Sequence, residues 1–82
     1  MKNISEHDVL RAIESALELP SGSVGLDAEA EDVEGWDSLG HLGILSSLDV
    51  LFEGKVADLT TIASATSVPK ILAVLRQHSL IK

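Results

Sequence analysis

Apolar residues recur at three- and four-residue spacing in three separate stretches of this 82-residue chain, a period that belongs to helices burying one stripe against each other. The first stretch is Val9, Ala12, Ile13, Ala16 and Leu17, flanked by Leu10, with Arg11, Glu14, Ser15 and Glu18 assigned to the wet side. Ser5 is placed to cap this helix by accepting from the Asp8 amide, Glu6 and Asp8 suit its positive first turn, and Pro20, Ser21 and Gly22 stop it. The second stretch runs from about Ser38 to Phe52. At about 100° per residue Leu42, Ile44, Leu45, Leu48, Leu51 and Phe52 share one half-circle, which predicts a wide buried face. Glu53-Gly54-Lys55 breaks the pattern, and Asp58 is placed to cap a short segment around Leu59 to Ala63. Thr66 or Ser67 then caps the last helix, where Pro69 fits the first turn because its missing amide proton is not needed. Val68, Ile71, Leu72, Val74 and Leu75 give it an apolar side, and Lys70, Arg76 and Gln77 a wet one.

The expected fold is therefore all-α: one domain over residues 1–82, a small four-helix bundle of three main helices plus a short third helix, with a long loop between helices 1 and 2. Composition agrees, since 45% of residues are hydrophobic but only 2% aromatic, an aliphatic, helix-favouring mixture. A chain this short buries roughly 60–65% of its extended surface, which leaves little room for a deep enclosed pocket. The loop from Leu19 to Asp37 concentrates acidity in Asp27, Glu29, Glu31, Asp32, Glu34 and Asp37, and Val24, Leu26, Val33 and Trp36 are placed to pin it to the bundle. Loops longer than about 12–15 residues are uncommon in compact domains unless functional or disordered, and this one reads as ordered and acidic.

Several function classes are disfavoured. A net charge of −7 argues against nucleic-acid binding, which needs clustered Lys and Arg, and points instead to a basic partner. No run approaches the about 20 apolar residues that cross a bilayer, so a soluble, cytoplasmic, monomeric protein is expected. With no cysteine, any thiol chemistry must come from an added group. Asp37-Ser38 with His41 three residues on invites a nucleophile-and-base reading, but nothing else in the chain supplies an orienting group, an oxyanion site or a cleft. A calcium loop starting at Asp27 fails where Asp32 replaces the turn glycine and Ser38 the bidentate glutamate, and His7, His41 and His78 share no metal-ligand spacing.

The informative segment is Gly35-Trp36-Asp37-Ser38-Leu39-Gly40-His41-Leu42, where a polar loop turns into a helix and presents a hydroxyl. In purely structural terms Ser38 is a good N-cap. Its setting says more. A bundle-forming chain of this size, with Gly35-Trp36-Asp37-Ser38-Leu39 after a long acidic loop, an amphipathic helix ending in Phe52, and Thr66-Ser67-Val68 opening the last helix, resembles the acyl carrier proteins over nearly its whole length.

That resemblance implies that Ser38 is esterified by 4′-phosphopantetheine, transferred from coenzyme A by a phosphopantetheinyl transferase. It further implies that acyl or aminoacyl groups travel as thioesters between a loading ligase and downstream biosynthetic enzymes. The protein is then a cosubstrate rather than an enzyme. Asp37 matches the family's aspartate that helps the transferase hold magnesium, and Leu39 its partner-contacting leucine.

Carriers of fatty-acid synthesis usually bear an acidic stripe along helix two. Here Gly40, Gly43, Val50 and Leu51 stand at four often-acidic positions, leaving Asp49. Two helix glycines cost about 1 kcal/mol each against alanine, less for Gly40 near the helix end, which suggests either that something approaches them closely or that local stability was never demanded. A weakly charged partner face including Leu39, Gly43 and Val50 is expected, and with it a stand-alone carrier for a specialised pathway of aminoacyl, polyketide or nonribosomal-peptide type. The alternative is a helical interaction module that is never modified.

Overall fold

The computed structural model describes residues 4–56 and 60–81. They form three α-helices, α1 (Glu6–Ala16), α2 (Ser38–Leu51) and α3 (Val68–Gln77), with 3-10 turns at Ala30–Asp32 and Thr60–Ser64, and no strand among the described residues. The segment Thr60–Ser64 stands where a short third helix is expected. Asp58, its expected cap, lies outside the described residues.

The caps follow the sequence closely. Ser5 accepts from the Asp8 amide, and the Asp8 carboxylate accepts in return from the Ser5 N–H at 3.0 Å, closing a capping box. That backbone bond, opposed by desolvation and aided to a lesser degree by the Ser5 hydroxyl, His7 and Arg11, holds the Asp8 carboxyl below its ordinary value. A carboxyl lowered in the folded state stabilises above its unfolded pKa, so the box weakens as pH falls through the lowered value. Ser67 caps α3 by accepting from the Lys70 amide, with Pro69 in the first turn.

The helix ends share one device. α1 stops at Ala16, before Pro20-Ser21-Gly22, because Glu18 takes a left-handed φ of 57°, and the amides of Glu18 and Leu19 return to the carbonyls of Ser15 and Glu14. Glu53 at 57° after α2 and Ser79 at 60° after α3 repeat this Schellman geometry without glycine in the left-handed seat.

The core gathers Val9 and Ile13 of α1, Ile44, Leu48 and Phe52 from α2 and its C-cap, and Val68, Ile71, Leu72 and Leu75 of α3. The buried face of α2 is narrower than its pattern suggests. Ile44, Leu48 and Phe52 lie within about 40° of Leu48 and are buried, Leu45 and Leu51 at about 60° are half-buried, and Leu42, at about 120°, is 62% exposed. Leu42 is thus a rim residue.

The loop is ordered by contacts along its length. Val24 and Trp36 are core residues, Val33 packs against them half-buried, and Leu26, expected as a fourth pin, is exposed instead. The Ala30 amide donates to the Thr66 carbonyl at 2.9 Å and the Val68 amide to the Ala28 carbonyl at 2.8 Å, an antiparallel bridge that fixes the loop to the start of α3. Glu14, assigned to the wet side of α1, is 4% exposed, because the loop folds back over it and donates the Gly22 and Val24 amides to its carboxylate. No helix among the described residues is long and apolar enough to cross a membrane.

Candidate functional site around Ser38

Asp37, not Ser38, caps α2. Its backbone is extended and its Oδ1 accepts from the Gly40 amide at 2.8 Å. Ser38 is therefore the first helical residue, exposed, and among the described residues its hydroxyl has no hydrogen-bond partner. The cap expected of Ser38 is already supplied by its neighbour, which leaves the hydroxyl available.

Beside Ser38 lies a cavity of about 500 Å³. Trp36, Leu42 and Leu45 supply its large apolar surface, Ala30 and Ala63 its small side chains, and Asp37, Ser38, His41 and Thr66 its polar atoms. It is an open cleft, lined in part by the exposed Asp37, Ser38, Leu42, Ala63 and Thr66, and so not the deep enclosed pocket for which little room is expected; it arises for two reasons. The 3-10 segment Thr60–Ser64 stands between α2 and α3 and touches both, and the alanines facing the gap are too small to fill it.

His41 forms part of that wall. Trp36 Nε1–H donates to His41 Nδ1 at 3.0 Å, and His41 Nε2 lies 3.2 Å from the Ile62 carbonyl oxygen. Indole N–H is a donor only, so Nδ1 must accept, Nε2 must carry the proton, and Nε2–H donates to Ile62. The two rings are 12° from parallel with centroids 6.1 Å apart, which with the short N–H···N contact sets them side by side. Both nitrogens are thereby occupied, and neither can take a proton from Ser38 in this arrangement. The nucleophile-and-base reading loses its base. The sequence carried a signal for this: His41 is about 20° from Leu48, at the centre of the buried arc of α2.

The remaining candidates separate into two groups. Leu39 and Val50 are 79% and 78% exposed, and with Leu42 and Ser46 they line one open stripe along α2 leading away from Ser38. Leu42 belongs to this stripe by its spacing, though the sequence pattern assigned it to the core. Gly43 instead stands half-buried, where an added Cβ would lie 3.7 Å from the Ala16 carbonyl of α1, ordinary packing contact. At Gly40 an added Cβ would overlap the Gly35 carbonyl oxygen and meet Leu17 Cδ2 at 2.9 Å. The close approach that these glycines suggested is made by the chain itself.

In the acidic loop, carboxylate oxygens of Glu29, Glu31 and Asp32 come within 4.8 Å of one another, all three residues exposed. His7 accepts from Arg11 Nε at 3.2 Å on the surface of α1, far in sequence from Ser38.

Compared with known proteins, this chain is matched by no family model, no curated protein and no solved structure.

Proposed function

We propose that this protein is a carrier that holds acyl or aminoacyl groups as thioesters on a 4′-phosphopantetheine arm esterified to Ser38. The observation that carries the reading is the exposed, uncommitted hydroxyl of Ser38 at the first residue of α2, beside a largely apolar cavity. The residues fit the group. A phosphodiester there would meet the positive end of α2, worth about 0.3–1 kcal/mol, and the arm would supply the thiol that a chain without cysteine lacks. Asp37 keeps its backbone role as cap and projects a carboxylate next to the hydroxyl, suited to a transferase's magnesium. Counting the 3-10 segment Thr60–Ser64 as the short third helix gives the four-helix order of such carriers.

The chain's own contribution is presentation. Leu39, Leu42 and Val50 offer a transferase, a loading ligase and downstream biosynthetic enzymes an apolar, weakly charged stripe, which suits a specialised cytoplasmic pathway. Acidic substitution at Val50 leaves the fold intact and impairs loading by such partners. Incubation of the full chain with coenzyme A and a broad-specificity transferase adds one phosphopantetheine to the wild type and none to Ser38→Ala; no addition to the wild type counts against the carrier.

The exposed apolar stripe also suits an unmodified interaction module acting as a monomer. Because Asp37 does the capping, Ser38→Ala changes stability by no more than about 0.5 kcal/mol, so the variant separates the two readings cleanly. Partner function that survives Ser38→Ala favours the module.

A further inference from the structure

His41 is the one polar side chain on the central buried line of α2, in register with Ile44, Leu45, Leu48 and Phe52. It joins three parts of the molecule: the end of the loop through Trp36, α2 through its own backbone, and the 3-10 segment through the Ile62 carbonyl. Trp36 and His41 both line the cavity beside Ser38, and Trp36 is only 6% exposed. Core packing holds the body of the indole, and the bond to His41 holds its N–H edge in that wall.

We propose that His41 is a proton-operated latch, which in its neutral form holds Trp36 in the wall of the Ser38 cavity and on taking a second proton lets it go. The exclusion is steric and electrostatic. A proton on Nδ1 would face the Trp36 N–H, donor against donor, so imidazolium and the Trp36 bond cannot coexist. Nε2–H still donates to Ile62 in the protonated ring, so only the loop side of the bridge opens. Histidine is the side chain whose ordinary titration spans pH 5 to 8.

The charged groups on the elements packed around His41 are few. Asp37 lies on the same wall four residues before His41, with its Oδ1 engaged by the Gly40 amide. At the 3-10 turn Ala30–Asp32, whose Ala30 lines the cavity, the charged groups are the exposed carboxylates of Glu29, Glu31 and Asp32, none of which lines the cavity itself. The described residues of Thr60–Ser64 carry no charge, and the first charge on α3 is Lys70, exposed beyond Pro69. Opening would swing the indole from the cavity wall and loosen the chain that positions Asp37 and Ser38. The latch goes beyond the carrier reading and does not depend on Ser38 being modified.

The test is ¹H–¹⁵N spectroscopy of the full unmodified chain between about pH 8 and about pH 5.5. Trp36 is the single tryptophan, so its indole resonance is unambiguous. At the alkaline end His41 shows the Nε2–H tautomer. As pH falls the Trp36 indole signal shifts in one step that coincides with the His41 ring nitrogens and not with His7 or His78. His41→Gln, which keeps a donor for Ile62, loses that step. The proposal is overturned by an Nδ1–H tautomer, by a His41 that stays neutral throughout the range, or by a Trp36 signal that ignores His41 titration. It also fails if the same step persists in His41→Gln. Should that variant not fold, the wild-type tautomer and the coincidence of the two titrations decide.

Discussion

Glu14 and His41 hold opposite ends of the loop that joins α1 to α2, and they do so with different chemistry. Glu14 is buried, and a single carboxylate oxygen takes the amides of Gly22 at 2.9 Å and Val24 at 3.0 Å. It only accepts, and both donors are main-chain groups that have no other role. His41 accepts from one side chain and donates to one carbonyl, so its bonding depends on which nitrogen carries the proton. The fixed tie sits away from Ser38 and the adjustable one beside it. The loop is thus tied by main-chain groups where it leaves α1 and by a titratable side chain where it meets Ser38.

The sharpest way to break this contrast is to remove the fixed tie. Glu14→Ala leaves two amides without their acceptor and is expected to cost about 2–4 kcal/mol in chemical denaturation, more than His41→Gln, which forfeits one bond. Equal costs would mean that the two ends are held alike. Next in size is the seat of the loop on α2. Gly40→Ala drives a methyl into the Gly35 carbonyl and should cost about 1–3 kcal/mol, whereas Gly43→Ala fits against Ala16 and should be neutral or gain up to about 1 kcal/mol from helix propensity. Thermal unfolding of the pair tells the two glycines apart. Smallest is the cap: Asp37→Ala should cost about 1 kcal/mol by losing the Gly40 bond, and the reverse order for Asp37 and Ser38 would return the cap to Ser38.

Much of the helical frame was legible. Ser5 capping α1, Ser67 capping α3 and Pro69 in the first turn are local chemistry, set within four residues, and the structure keeps them. What periodicity could not reach is what a loop does when it folds back. Glu14 lies off the apolar stripe of α1, and no helix covers it; two loop amides do. Leu42 sat at the edge of the predicted arc, and whether an edge residue is core or rim depends on how close the next element comes. The open cleft escaped for the same reason, since it arises where α2 meets two separate 3-10 turns, one carrying Ala30 and the other Ala63, that no single stretch of sequence brings together. His41 was visible as a neighbour of Ser38 in the helix but was weighed as a base for it. Its place on the central line of α2, between apolar residues, was the sign of a histidine bonded inward.

The central claim is that the hydroxyl of Ser38 is there to be esterified. The most direct measurement is the intact mass of the full chain after incubation with coenzyme A and a broad-specificity transferase, followed by fragmentation to locate the added group. One phosphopantetheine on the Ser38 peptide of the wild type, and none on Ser38→Ala, is the predicted result. A wild-type mass unchanged, with folding of the sample verified, or an addition at any other residue, would contradict it.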